Sequence, residues 1–344
     1  VLDVSVDTVE LPLRTPLRTA WGTLRTRSIL VLTIVGSDGV VGRGEAAPLE
    51  PYDGVPFPAV AAALEQYAEI LRRSRGRSGA GLVDACRDAV DLPQALAAVD
   101  MALWDRAGRR EGRPVAALLT DRAAASVPVN ATIGADGPDA AARAAAAAVE
   151  AGFDTVKVKV GVGDDLARLQ AIRAAVGDRL ALRLDANGAW SVDEAVARIE
   201  ELATVGLELV EEPVHGVPEL REVRERVPVR IAMDETAALP GAVGAGAADA
   251  ICLKVSRGGG IGALTVQAAL IRAVGGEPYL ASTYDGPLGI AAAVHVAAAL
   301  GVETPCGLAT LDAFDLPMPA ALLPVDGRIA VPPGPGLGVD GPLG

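Results

Sequence analysis

Hydrophobic positions change period along this chain. Residues 1–50 alternate, as in "VLDVSVDTVELPL" and "SILVLTIVGSDGVVGRGEAAP", and the intervening "GSDG" marks a hairpin. Between them lies a polar stretch, "RTPLRTAWGTLRTR". From residue 57 to 120 the apolar spacing becomes helical, in "FPAVAAALEQYAEILRR" and "LPQALAAVDMALWDRAGRR". Strands followed by helices predict an α+β module over residues 1–125. Beyond residue 126 short apolar runs alternate with Ala-rich amphipathic runs. The strand candidates are "VPVNATI", "TVKVKV", "LALRLDAN", "LELVEEP", "VRIAMDET", "AICLKVS", "PYLASTYD" and "CGLAT". Repeats of roughly 20–30 residues fit βα units on a parallel sheet. Eight such strands in one run favour a closed βα barrel over 126–315 rather than an open doubly wound sheet. No G-x-G-x-x-G turn supports the open alternative. The Pro/Gly-rich tail, 316–344, packs back on the N-terminal module or ends loosely.

One strand carries an anomaly. In "TVKVKV", Lys157 and Lys159 share a face, and Val156, Val158 and Val160 share the other. The next strands also end on charges: Asp185, then Glu211 and Glu212, then Asp234 and Glu235, then Lys254. A parallel barrel brings all those C-terminal ends to one mouth. Three carboxylates meeting there repel one another and lose hydration unless a cation sits among them. An all-oxygen set without His or Cys selects a hard ion, Mg²⁺, with Asp185, Glu211 and Asp234 as ligands. Glu212 and Glu235, one residue further along, aim elsewhere and are expected beside the ligands. A lysine near another cation can act as a base, with Lys157 acting on Lys159. Lys159 and Lys254 on opposite faces of a bound carboxylate could remove and return a proton at its α-carbon.

Composition narrows the partners. A formal net charge of −13 and a pI of about 4.7 argue against a nucleic-acid surface. No charge-free run of about 18 apolar residues suggests a membrane span, and the opening strand lacks a signal-peptide pattern. Since the first residue is Val1, an initiator Met or a little more is expected before it. Cys86, Cys252 and Cys306 are odd in number, widely spaced and in apolar context, which suggests reduced core thiols in a cytoplasmic protein. His295, in "AAAVHVAAAL", is expected to pack within a helix. The expected partner is a small-molecule carboxylate, and self-association is left open.

The quoted segments "KVKV", "RLDANGAW", "VEEP", "AMDET" and "CLKVSRGGG" resemble the enolase superfamily, specifically its muconate-lactonizing-enzyme subgroup. The resemblance covers nearly the whole chain. It implies a (β/α)7β TIM-like barrel with an N-terminal α+β capping domain completed by the C-terminal tail. It also implies Lys159 and Lys254 as the acid/base pair, Asp185, Glu211 and Asp234 on Mg²⁺, and Lys157 and Asn187 in support. "RTPLRTAWGTLRTRS" resembles the loop that closes over substrate, with Arg18 and Trp21 as contacts. "STYDGPLGIAAAVHVAAAL" and "CGLATLDAF" resemble the seventh- and eighth-strand regions of o-succinylbenzoate synthases, enzymes of menaquinone biosynthesis, and make Ser282, Thr283 and Asp285 candidate substrate contacts. Dipeptide epimerases carry a D-x-D pair in the last region, whereas Asp312 and Asp315 here are three apart. The implied activity is a dehydrating lyase, with N-acylamino acid racemase, dipeptide epimerase and muconate cycloisomerase as alternatives.

Overall fold

The chain opens with β1 (Asp3–Thr19), β2 (Gly22–Val35) and β3 (Val41–Ala46), an antiparallel sheet in that order. The structure is a computed structural model that describes residues 2–19, 22–74, 76–134 and 136–340. The two-residue period of β2 splits its side chains between two cores. Leu30, Leu32 and Ile34 pack with Leu64, Tyr67, Leu71 and Leu96 from the helices Phe57–Arg73 and Pro93–Glu111. Ile29 and Val31 instead join the large core that includes the barrel strands. Gly42 and Gly44 let helix Pro93–Glu111 lie directly on β3, because a Cβ on Gly44 would stand 2.0 Å from the Ala98 carbonyl oxygen. The stretch expected as a polar loop is the tip of the long β1–β2 hairpin, whose register shifts between Pro12 and Leu17. Trp21 and the side chain of Arg18 lie outside the described residues.

The second half builds a curled parallel sheet. Its first expected strand, "VPVNATI", divides into β4 (Ser126–Pro128) and β5 (Ala131–Ile133). The strands that follow are β6 (Thr155–Lys159), β7 (Ala181–Asp185), β8 (Leu209–Glu211), β9 (Arg230–Met233), β10 (Ala250–Leu253) and β11 (Glu277–Leu280). β5 to β11 hydrogen-bond in sequence order, while β4 pairs antiparallel with β12 (Arg328–Ala330). "CGLAT" forms no regular strand. Cys306 and Gly307 bridge Val129 and Ala281, so two residues span the gap between the sheet's edges and complete a (β/α)7β barrel. The chain then turns away into a short 3₁₀ segment, Leu311–Ala313, which ends the pairing. Among the barrel helices, Val192–Leu202 starts with a capping box between Ser191 and Glu194.

Carboxylates from the N-terminal half cap two barrel helices. Glu45 accepts from the Gly286 and Gly289 N–H groups (2.6 and 3.3 Å) at the start of Pro287–Ala299. Asp100 accepts from Gly262 N–H (3.0 Å) at the start of Ile261–Ala273. Each places negative charge on a helix N-terminus. From the tail, Leu337 N–H donates to Asp105 at 2.8 Å, and Val115 N–H to the Gly336 carbonyl at 2.8 Å. All three cysteines are buried and free. Among the described residues no helix is long and apolar enough to cross a membrane.

Candidate active site

The parallel register lines up the charged strand ends: Lys159 stands beside Asp185, and Asp185 beside Glu211. Val156 and Val158 are fully buried on the outer face of β6, which leaves both lysines pointing inward. Lys157 Nζ donates to Asp185 Oδ2 at 2.8 Å and to Glu211 Oε1 at 3.0 Å. Lys159 Nζ donates to the same Asp185 Oδ2 at 2.6 Å and to Asn187 Oδ1 at 2.8 Å. Asn187 takes a positive φ of 45°, one that Asn tolerates, and its amide donates onward to Glu235 Oε1 at 2.8 Å. From the far side, beyond three intervening strands, Lys254 Nζ contacts Asp234 and stands over the Tyr52 ring at 5.3 Å. Arg257 approaches the same ring at 4.9 Å. Six of the expected site residues therefore form one hydrogen-bonded group, Lys157, Lys159, Asp185, Asn187, Glu211 and Glu235, and the Lys254–Asp234 pair stands beside it, with carboxylate oxygens of Asp234 and Glu211 within 4.8 Å.

Glu212 has a different task. It also takes a positive φ, 41°, and turns its carboxylate into the fold. There it accepts from Asp234 N–H at 2.7 Å and Thr236 N–H at 2.9 Å. It fixes the backbone that presents Asp234.

The electrostatics are those of a dry, crowded acid cluster. Burial opposes the charge on Asp185, but Lys157 and Lys159 outweigh it and hold the carboxyl well below its usual range. Burial likewise opposes the charge on Asp234, and Lys254 outweighs it, so this pKa is also lowered. Glu211 is raised, chiefly by burial. Glu235 is pushed up to about 7 by burial and then by Asp234, and its buried Oε2 has no hydrogen-bond partner. Burial also opposes the charges of Lys157 and Lys254, yet their carboxylate partners carry both well above the ordinary lysine range. Lys157, expected to act on Lys159, is itself held by Asp185 and Glu211.

The donor set fits a hard divalent cation: three carboxylates from three adjacent strands, each at most 5 % exposed, with an unsatisfied carboxylate oxygen on Glu235 beside them. The potential ligand atoms packed within 4.8 Å of one another belong to Glu211, Asp234 and Cys252, while Asp185 is turned to the lysines. Burial holds the Cys252 thiol well above its usual pKa, hence protonated, and sulfur suits a softer metal. The oxygen set is therefore the better match.

Of the seventh-strand candidates, Thr283 and Asp285 bond to each other and Ser282 bonds to Thr310. Ser282 Oγ lies 2.9 Å from Thr310 Oγ1, and Thr283 Oγ1 donates to Asp285 Oδ1 at 3.2 Å. Asp285 is 2 % exposed and raised by burial, with Arg27 opposing the shift. Sequence reasoning missed Tyr52, which arrives from the N-terminal half. It also missed Tyr279, whose hydroxyl donates to Glu211 Oε2 at 2.8 Å. Neither has a local signal: Tyr52 falls on a single helical turn, Glu50–Asp53, within a Pro/Gly-rich stretch, and Tyr279 reads as strand core.

Comparison with known proteins agrees with this architecture. The family model described as "Enolase C-terminal domain-like" matches residues 139–341. The one described as "Mandelate racemase / muconate lactonizing enzyme, N-terminal domain" matches residues 1–120. The chain belongs to the enolase superfamily, in its muconate-lactonizing-enzyme subgroup, and is an enzyme of that superfamily. L-Ala-D/L-Glu epimerase of Bacillus subtilis (strain 168) is 31 % identical over 99 % of this chain and 97 % of its own length. o-Succinylbenzoate synthase of Thermobifida fusca (strain YX) is 44 % identical over 60 % of this chain and 67 % of its own. The substrate-liganded structure of the Bacillus subtilis epimerase superposes with a TM-score of 0.90 at 30 % identity, covering 98 % of both chains. The dipeptide epimerase of Enterococcus faecalis V583, complexed with Mg and L-Leu-L-Tyr, gives 0.86 at 29 % identity and the same coverage.

Proposed function

We propose that this enzyme removes the proton α to a carboxylate, with Asp185, Glu211 and Asp234 as ligands of Mg²⁺, and that its reaction is the dehydration that forms o-succinylbenzoate. The observation that carries the chemistry is the pair of lysines on opposite sides of one buried acid cluster. A divalent cation held by these oxygens would supply positive charge beside the substrate carboxylate. Lys159, with its side chain 36 % exposed, takes the proton and returns one to the departing hydroxyl. Asn187 holds Lys159 at the mouth. Lys254, 6 % exposed and packed against Tyr52, stabilises the anion by its fixed charge.

The choice of substrate draws on the segment that closes the barrel. It offers Gly307 and Ala309 where β7, β8 and β9 lead to acids. Asp312 and Asp315 lie exposed on a turn tied to β1, through Arg14 Nε to the Asp312 carbonyl (3.0 Å) and Asp315 N–H to Pro12 (2.8 Å). No acid pair there converges to receive a substrate ammonium, which favours a substrate without one. The 44 % identity to an o-succinylbenzoate synthase supports the same choice. A racemase or epimerase is the second reading, favoured by the full-length similarity to the Bacillus subtilis epimerase. In that reading both lysines carry protons.

The test is turnover in deuterated water over a panel of the succinylbenzoate precursor, N-succinylamino acids, dipeptides and muconate. The expected result is product formation with loss of water from the precursor. Label uptake into retained N-succinylamino acid or dipeptide, without action on the precursor, would replace dehydration by racemisation.

A further inference from the structure

We infer that Tyr279 is a positioning residue for Glu211, fixing the orientation of that carboxylate in the acid cluster, and that Arg183 holds Tyr279 in turn. The inference rests on the cation-binding reading above. Tyr279 pairs in register with Cys252 across β10 and β11, and it is 2 % exposed. Its hydroxyl donates to Glu211 Oε2 at 2.8 Å, while Lys157 Nζ donates to Oε1 at 3.0 Å. The terminal torsion of a glutamate is broad and roughly two-fold, so one hydrogen bond leaves the carboxylate plane free to swing. Bonds at both oxygens, from β6 on one side and β11 on the other, stop that rotation. A carboxylate has about four lone-pair sites, so each oxygen keeps one for a cation.

The support continues downward. The Arg183 guanidinium lies 5.8 Å from the centre of the Tyr279 ring and is 1 % exposed. Its Nε and Nη2 donate to Glu208 at 2.9 and 2.7 Å, and Nη1 donates to the Pro305 carbonyl at 2.6 Å. Arg183 and Asp185 share a face of β7, two residues apart. A column of Glu208, Arg183, Tyr279 and Glu211 thus runs through the barrel beneath the mouth. Tyr279→Phe keeps the ring over Arg183 and removes only the hydroxyl. Oε2 of the carboxylate then loses its donor, which frees the group to rotate. Loss of such an outer partner typically costs about 10–100-fold in metal affinity.

The experiment is calorimetric titration of the full chain with Mg²⁺, without substrate, for wild type, Asp234→Asn and Tyr279→Phe. Folding of each is checked by its urea transition in the absence of metal. Tyr279→Phe is expected to bind Mg²⁺ about 10–100-fold more weakly with its cooperative transition retained. Its turnover should recover toward wild type at saturating Mg²⁺, which separates a positioning role from loss of the reacting groups. Should the Phe variant not fold, Arg183→Lys carries the test, with a smaller loss in the same direction expected. Wild-type affinity in a folded Tyr279→Phe or Arg183→Lys protein overturns the inference while Asp234→Asn still reports on the reading beneath it. Wild type that binds no Mg²⁺ overturns both.

Discussion

His295 sets a pH dependence of stability whose size follows from its surroundings. It is fully buried in helix Pro287–Ala299 and joins that helix to two other segments. Its Nδ1 accepts from Ala116 N–H at 3.2 Å, and its Nε2 faces the Leu337 carbonyl at 3.1 Å. One ring nitrogen accepting and the other donating describes a neutral imidazole with its proton on Nε2. Protonating Nδ1 would set two N–H groups against each other in a dry interior. Burial accordingly lowers the pKa from 6.5 to about 4, with the Leu337 carbonyl opposing the shift. The folded value lies below the unfolded one, so the unfolded chain binds more protons in that window. The contribution is intact above about pH 6.5 and is lost as pH falls toward about 4. At 1.36 kcal/mol per unit, the full loss is about 3 kcal/mol; between about pH 8 and pH 5 it is about 2 kcal/mol. The assay is urea unfolding at both pH values for wild type and His295→Gln, which cannot titrate. Acid groups elsewhere contribute equally to both proteins and cancel in the difference. Wild type should lose about 2 kcal/mol more than the variant over that interval. Equal losses would refute the assignment of a buried neutral ring.

Lys159→Ala and Lys254→Ala should each lower turnover by at least about a hundredfold, measured on the substrate that the labelling panel identifies; substantial activity in both would remove the proposed chemistry. If Lys254 acts through charge alone, Lys254→Arg should recover part of the dehydration, whereas Lys159→Arg should not; steady-state rates of the two variants decide it. Gly44→Ala should destabilise the fold by about 1–3 kcal/mol or more, because its Cβ meets backbone rather than a flexible side chain. A urea midpoint equal to that of wild type would contradict the close packing of helix Pro93–Glu111 on β3.

Legibility differed between the parts of the site. Lys157, Lys159, Asp185, Glu211, Asp234 and Lys254 could be read as one group because parallel strands repeat a single geometric phase. A residue type at a constant place in each βα unit announces its direction without any coordinates. The division of "VPVNATI" and the collapse of "CGLAT" to two bridged residues could not be read this way. Their pairing depends on where the two edges of the curled sheet meet, and that distance is encoded in no local pattern. The same holds for the hairpin β1–β2, where the described residues 17–19 and 22–24 of the polar stretch remain extended because they pair with one another.

What the sequence determined by itself was the periodic information: alternating strands, amphipathic helices, and charges recurring at strand ends. Only the tertiary structure decided which carboxylates face the lysines and which turn inward. It sent Glu212 into the fold to hold the Asp234 backbone, brought Tyr52 from the N-terminal half to Lys254, and set Tyr279 against Glu211. The physical reason is that periodicity acts along one strand, whereas the partner of a buried polar group must come from whatever the closed barrel places within hydrogen-bonding reach.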